Sequence, residues 1–451
     1  MKKHNSYKIG VIGGAGYVGL VTSVGLASLG HNVLSQDLNL NRINLLKKGK
    51  SEVYEEGLEN ILSDLIFQKF INFTDNIEET IRHSDVVFVA VGTPSLSDGR
   101  ADMSQIISVA EKLRDLIDHY TIVVVKSTVP VGAIEVIQDI LSEKLSIGED
   151  FDVVSNPEFL REGSGLIDFY NPSRIIIGCN SEFSGSVLRE IYKPLLDREF
   201  KVRNPFSNKN QIIEILLTDP VSAQMVKYAS NAFLATRISF INEIAGISEK
   251  VGGNISDIIY GIGLDPRIGS DYLKPGIGFG GPCLDKDLRA LITLSEENYF
   301  DSVMLNGVLR RNDLQLQEVI NKINIVLGSS LYKHRISILG LAFKEGTNDV
   351  RHSLSIRLAK FLIEQGAIVT GHDILATNEA ALMEDKLIVS ENLNDVLNQA
   401  EIVIILNSEK IYSEINWSNI SPKTYVIDTR GIVNISELEK HSIKYDVLGT
   451  K

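Results

Sequence analysis

A thiol, an ammonium and a carboxylate follow a glycine-rich run in Gly276-Ile277-Gly278-Phe279-Gly280-Gly281-Pro282-Cys283-Leu284-Asp285-Lys286-Asp287. Glycines have no Cβ and tolerate positive φ, so backbone of this kind can approach a ligand closely. The apolar and charged residues after Pro282 read as the opening of a helix, which sets Cys283 in its first turn. There the unpaired N–H groups and the helix dipole favour a thiolate. Lys286 and Asp287, three and four residues on, share that face. The chemistry on offer is nucleophilic attack by sulfur beside a ligand-hugging loop. The plain alternative is a buried structural cysteine, as most cysteines outside disulfides are.

The rest of the chain supplies elements to hold such a segment. Residues 9–12 read as a short strand, followed by a glycine turn, a helix over 20–29 that stops at Gly30, and a second strand from 32–35. Further strands are predicted at 85–91, 121–126, 152–155 and 174–178, with helices over 104–117 and 134–144 between them. Such alternation gives a parallel sheet covered on both faces. From Asp219 to Gly253 the pattern becomes helical without a turn signal. Asp219 fits an N-cap, Pro220 the first helical position, and Gly252-Gly253 the stop. A helix of that extent suits a connector between domains and a subunit contact. Alternation resumes near Arg335, with strands predicted at 336–343, 367–372, 402–406 and 425–427. The expected fold class is therefore α/β: two parallel-sheet domains joined by a long central helix and a helical middle domain. The predicted boundaries are residues 1–212, 213–330 and 331–451.

Gly14-Ala15-Gly16-Tyr17-Val18-Gly19 matches G-x-G-x-x-G and sits after a strand and before a helix. Gly14 and Gly16 would permit a tight turn and close approach of a pyrophosphate, and Gly19 would let the helix pack on the sheet. Asp37 closes the second strand, where an acid accepts hydrogen bonds from ribose hydroxyls and repels a 2′-phosphate. NAD is thus expected rather than NADP, with Arg42 close enough in sequence to contact the adenosine end. The two α/β halves make a Rossmann-like pair.

Composition narrows the partners. The 451 residues carry a formal net charge of −13, which opposes binding to nucleic acid or anionic membrane, since both need a basic surface. No apolar run approaches the length of a membrane span, and the start Met1-Lys2-Lys3-His4-Asn5 has no apolar stretch behind it. Two cysteines, Cys179 and Cys283, make no disulfide framework and suit a reducing cytoplasm. Cys179, after Ile175-Ile176-Ile177, reads as a residue at the end of a core strand. No metal is expected.

Taken in order, these parts resemble the UDP-glucose/GDP-mannose dehydrogenase family. The resemblance covers nearly the whole chain, through Val91-Gly92-Thr93-Pro94, Lys126-Ser127-Thr128-Val129-Pro130-Val131-Gly132, Asn156-Pro157-Glu158-Phe159-Leu160-Arg161-Glu162-Gly163 and the helix face carrying Lys227 and Asn231. Asp265-Pro266-Arg267-Ile268-Gly269, the Cys283 loop, Gly340-Leu341-Ala342-Phe343-Lys344 and Asp428-Thr429-Arg430 follow. The resemblance implies a four-electron oxidation of a nucleotide sugar at C6 with two NAD⁺. UDP-glucose going to UDP-glucuronate is the expected case; a UDP-N-acetylhexosamine or GDP-mannose is the alternative.

It also implies roles. Cys283 would form a thiohemiacetal and then a thioester. Lys227 and Asn231, at i and i+4, would stabilise the C6 oxyanion, with Glu158, Thr128 and Asp287 moving protons or orienting water. For the cofactor it points to Gly14, Gly16, Tyr17, Val18, Gly19, Asp37, Arg42, Thr93, Thr128, Glu162, Lys286 and Arg351. For the sugar nucleotide it points to Glu158, Phe159, Leu160, Arg161, Glu162, Lys227 and Asn231, and to Tyr272, Leu273, Lys274, Pro275, Gly276, Gly280, Lys344 and Arg430. Arg267 resembles an arginine supplied across a homodimer interface. The chain departs from the family's spelling by one extra residue at Gly13-Gly14, and at Gln224, Asp285 and Asn348. Two rival readings are a two-electron β-hydroxyacid dehydrogenase, opposed by the second α/β domain, and a non-enzymatic nucleotide-sugar-binding regulator, opposed by Cys283, Lys227 and Asn231.

Overall fold

The computed structural model describes residues 4–450 except 97, 205, 207 and 209. The chain forms two compact units, Met1–Ala229 and Ser230–Lys451. The first is built on eight strands: β1 (Lys8–Ile12), β2 (Asn32–Gln36), β3 (Ile71–Thr74), β4 (Val86–Val89), β5 (Thr121–Val125), β6 (Phe151–Ser155), β7 (Arg174–Gly178) and β8 (Glu214–Thr218). Their order is β3-β2-β1-β4-β5-β6-β7-β8, and every neighbour pair is parallel except β6 with β7. β1 registers Ile9 against Val33 on one side and Val86 on the other. The strand order therefore reverses between β1 and β4, which opens a crevice at their carboxyl ends. The central strands are largely apolar, and all five residues of Thr121–Val125 are buried, because helices cover both faces.

The second unit holds β9 (Arg335–Leu339), β10 (Ile368–His372), β11 (Ile388–Val389), β12 (Ile402–Ile405), β13 (Tyr425–Asp428) and β14 (Lys444–Val447), all parallel in the order β11-β10-β9-β12-β13-β14. The same reversal recurs between β9 and β12. The predicted strand 336–343 is shorter than expected. It ends at Leu339 because Gly340 turns the chain with φ of +93°, and a Cβ there would lie 2.5 Å from the Cβ of Asn407.

Five helices matter for the site: α1 (Tyr17–Ser28), α2 (Glu182–Leu196), α3 (Pro220–Val251), α4 (Leu284–Glu297) and α5 (Val303–Leu327). The long helix has the predicted ends. Asp219 accepts from the N–H of Ser222 at 2.8 Å, Pro220 opens the helix, and Gly252 follows it with φ of +80°. Its 32 residues give a length of roughly 48 Å at 1.5 Å per residue. Within the second unit, Lys322 of α5 joins Glu249 of α3 (2.6 Å) to Asp446 of β14 (2.9 Å).

Candidate active site

The glycine turn lies at the carboxyl end of β1, beside the strand-order reversal. Gly13 takes the left-handed conformation with φ of +82°, and a Cβ on it would lie 2.7 Å from the carbonyl oxygen of Ala90. The N–H groups of Gly13 and Gly14 both donate to Gln36, at 2.9 and 2.7 Å. A side chain on Gly14 would collide with Ser35, and one on Gly19 with the carbonyl of Gly13. Gly16 caps α1 in extended geometry. Within the turn it is Gly13 that provides the positive φ.

Asp37 stands just past β2 and accepts from the N–H of Ala15 at 3.0 Å and of Asn39 at 2.9 Å. A bare backbone turn, the start of α1 and a carboxylate at the second strand's end together fit a dinucleotide: donors for the pyrophosphate and an acceptor for ribose hydroxyls. Arg42 is paired with Glu52 at 2.9 Å. Thr93 donates from its hydroxyl to the carbonyl of Thr128 at 2.8 Å, joining the segments that follow β4 and β5. Tyr17 is mostly buried, and desolvation together with Glu55, Glu158, Glu162 and Asp168 keeps its phenol protonated far above the ordinary tyrosine range.

A second cluster follows β6. Lys227 donates to Glu158 at 2.8 Å, and both are buried, at 4% and 7% exposure. The other carboxylate oxygen accepts from the N–H of Leu160. Burial alone would raise the carboxyl pKa of Glu158; the charge and hydrogen bond of Lys227 outweigh it and hold the group below the usual range. Phe159 lies beneath the Arg174 guanidinium, 3.7 Å from its ring centre, with the Lys227 ammonium 5.4 Å away. Arg161 pairs with Asp168 at 2.7 Å. Gln224, one turn before Lys227, is 3% exposed and accepts from the N–H of Gly132 at 3.3 Å, so it secures the loop that carries Thr128.

In the second unit Cys283 is exposed and occupies the N-cap of α4, one position before the predicted first turn. Its carbonyl accepts from the N–H of Asp287 at 2.9 Å. Asp287, 1% exposed, binds the Lys286 ammonium at 2.7 Å through one oxygen and the Asn231 amide at 2.6 Å through the other. Asp285 instead pairs with Arg289 at 2.8 Å, one turn further along α4.

The glycine run before Cys283 is held by three buried amides that the sequence did not single out. Asn242 accepts from the N–H of Gly276 (2.9 Å), Gln315 donates to its carbonyl (2.8 Å), and Asn312 bonds both backbone groups of Phe279 (2.8 and 3.0 Å). Their only signal was polarity at core-facing positions of α3 and α5. Gly278 and Gly281 have φ of +117° and +83°, and a Cβ on Gly276 would lie 2.5 Å from the Arg430 guanidinium.

Arg430 donates to the carbonyls of Leu406 (2.6 Å) and Pro275 (3.3 Å), which fastens the 272–276 segment to the sheet end after β13. Tyr272 itself has φ of +61°, Leu273 is buried and Lys274 is exposed. A Cβ on Gly280 would lie 2.7 Å from the carbonyl oxygen of His352. Lys344 follows the turn after β9, its ammonium 5.7 Å from the Phe343 ring centre. Arg351 pairs with Asp349 at 2.5 Å, Asn348 donates to Glu379 at 2.8 Å, and Arg267 is 86% exposed beside Asp265.

Within the first unit the structure brings together Glu158, Phe159 and Lys227. Within the second it brings together Asn231, Lys286, Asp287 and the Cys283 segment. Glu162 is part-buried, while the side chains of Arg42 and Arg267 are exposed and paired with carboxylates of their own.

Three family descriptions match the chain: the NAD binding domain of the UDP-glucose/GDP-mannose dehydrogenase family over residues 7–196, its central domain over 221–314 and its UDP binding domain over 337–435. A UDP-glucose 6-dehydrogenase of Rickettsia bellii is 37% identical over 97% of this chain and 98% of its own length. Among solved structures, a UDP-glucose dehydrogenase from Pyrobaculum islandicum is 34% identical with a TM-score of 0.90, covering 100% of this chain and 99% of that one. A UDP-D-ManNAc dehydrogenase from Pyrococcus horikoshii is 25% identical with a TM-score of 0.83, covering 98% and 99%.

Proposed function

The chain belongs to the UDP-glucose/GDP-mannose dehydrogenase family, and from that membership we propose that it oxidises UDP-glucose to UDP-glucuronate with two NAD⁺ per turnover. Full-length similarity to UDP-glucose dehydrogenases, at higher identity than to the UDP-D-ManNAc enzyme, carries the choice of sugar. The observation that carries the chemistry is the exposed Cys283 at a helix N-terminus, with Asp287 one turn along the helix, ion-paired with Lys286 and hydrogen-bonded to Asn231.

Bound NAD⁺ supplies the hydride acceptor for both oxidations. In this reading Gly13, Gly14, Gly16 and Gly19 give it a side-chain-free turn, and Asp37 receives the ribose hydroxyls. Lys227 and Asn231, four residues apart on α3, donate to the C6 oxygen as negative charge develops on it. Cys283 attacks the C6 aldehyde as a thiolate, forming a thiohemiacetal whose oxidation leaves a thioester. Water then cleaves the thioester, releasing the carboxylate and returning the thiol. Glu158, which binds Lys227 as an ionised carboxylate, and Asp287 are assigned to proton movement and water orientation, with Thr128 beside them in role. Lys344 and Arg430 supply charge for the diphosphate, and the 272–276 backbone cradles the nucleotide sugar.

The three matched segments support a division into a cofactor part (1–212), a helical part (213–330) and a nucleotide-sugar part (331–451). We also assign a homodimer, with exposed Arg267 reaching the partner's site, and a cytoplasmic location. Among the described residues no helix is long and apolar enough to cross a membrane. The deciding test is stoichiometry. Purified protein with UDP-glucose should form two NADH per uronate; one NADH per substrate, or turnover of GDP-mannose alone, would overturn the reading.

A further inference from the structure

Lys126 is a charged group of the first unit to which the reaction scheme gives no role. It follows β5 directly and is 7% exposed, yet its ammonium donates to two neutral acceptors: the Asn156 side-chain oxygen (3.2 Å) and the Pro157 carbonyl (3.4 Å). Asn156, fully buried, is a junction. Its N–H donates to Val125 of β5 (2.9 Å), its amide donates to Ile176 of β7 (2.7 Å), and its oxygen also accepts from Tyr192 of α2 (2.7 Å). Two residues later comes Glu158, the partner of Lys227.

A cation is a costly choice for such a clamp, because burying a charge among neutral groups forfeits its hydration. An amide could tie the same atoms without that penalty. Three titratable groups face Lys126. Glu158 after β6 favours its charge, Lys227 of α3 opposes it, and Tyr192 of α2 is held neutral by burial. Desolvation is the largest influence and brings Lys126 down to about 8. Retaining a charge there under strain makes sense if the charge has a task at Glu158.

Resting on the assignment of Lys227 and Glu158 to the reaction, we propose that Lys126 is a positioning residue. Its ammonium, with Tyr192 as co-donor on Asn156, pins the Asn156-Pro157 turn so that Glu158 meets Lys227 in the arrangement the reaction uses.

Lys126→Met and Lys227→Met are compared with the wild type at saturating NAD⁺ and varied UDP-glucose, each with a melting curve. In Lys126→Met, kcat should fall about 10- to 100-fold, as expected for a misplaced reacting group, with KM nearly unchanged. In Lys126→Ala, added ethylamine should restore part of the lost kcat. A folded Lys126→Met with wild-type kcat overturns the proposal, as does a loss without amine rescue. If Lys126→Met does not fold, Tyr192→Phe decides: one lost hydrogen bond should lower kcat about threefold at constant KM, and unchanged kcat overturns the proposal. Lys227→Met at full turnover would instead sink the assignment of Lys227. Loss in Lys227→Met with none in Lys126→Met sinks the role of Lys126 alone.

Discussion

Asn231 donates its amide to Asp287 across 2.6 Å, while the other oxygen of that carboxylate holds the Lys286 ammonium at 2.7 Å. Asp287 is 1% exposed, so its charge is compensated by these two groups and by the start of α4. Removing it orphans an amide and a lysine together. Asp287→Ala should cost about 3–5 kcal/mol, as when a buried pair loses one partner, because the Lys286 ammonium left behind is itself shielded from water. Denaturant titration reads the stability. Turnover should drop further than in Asp287→Asn, which keeps an acceptor for Asn231.

Cys283→Ser should lower uronate formation by about three orders of magnitude or more, because an alcohol is a far weaker nucleophile than a thiolate. UDP-glucose binding, followed by calorimetry, should persist. Equal turnover in this variant would leave the covalent route without support.

Gly276→Ala places a Cβ 2.5 Å from the Arg430 guanidinium, which cannot retreat without giving up its 2.6 Å bond to Leu406. The expected outcome is an increase of about tenfold in KM for the nucleotide sugar, equivalent to about 1.4 kcal/mol, with KM for NAD⁺ constant. A larger change for NAD⁺ than for the sugar would contradict the placement of substrate at this segment.

Asp37→Ala removes both the acceptor for ribose hydroxyls and the repulsion of a 2′-phosphate. Its NAD/NADP ratio of kcat/KM should shrink about tenfold or more. Part of the loss with NAD⁺ will come from the freed N–H of Ala15, which Asp37 binds at 3.0 Å.

Acid should weaken the first unit through His31. Burial lowers the pKa of this imidazole below its usual 6.5, and its Nε2 lies 2.9 Å from the carbonyl of Ile191. The unfolded chain therefore binds more protons as pH drops below about 6.5, and stability declines until the folded-state pKa is passed. His372, lowered by burial in the second unit, adds a loss of the same sign. Urea midpoints at about pH 7.5 and pH 5 should differ less in His31→Gln than in the wild type. Equal differences would mean that other groups set the acid limb.

Much of this architecture was legible because the signals were local. Strict βα alternation, Asp219-Pro220 opening α3 and Gly252 closing it, and the G-x-G-x-x-G run each fix structure within a few residues. The short strands β3, β8, β11 and β14 were missed, being pairings made by distant chain segments with little pattern of their own. Ile336–Leu339 was extended too far because Gly340 interrupts an apolar run whose continuation packs without pairing. At the site, Cys283, Lys227 and Glu158 stood out by type and motif. Asn242, Asn312 and Gln315 did not, since an amide on a helix declares its partner only once the fold brings the glycine run against it. Helix spacing placed Lys286 and Asp287 on the face of Cys283, but the bond of Asp287 to Asn231 crosses 56 residues and has no sequence signature.

The two cysteine sulfurs of the chain live in opposite surroundings. Cys179 is packed beside Gly185 with its thiol pushed up by burial, while Cys283 stands open at a helix start. A bulky maleimide or iodoacetamide reagent should therefore mark one position and spare the other, giving a single-site fluorescent or mass tag without engineering. The same openness leaves that position to air and peroxide, so preparations kept without reductant should age by losing the reactive sulfur first.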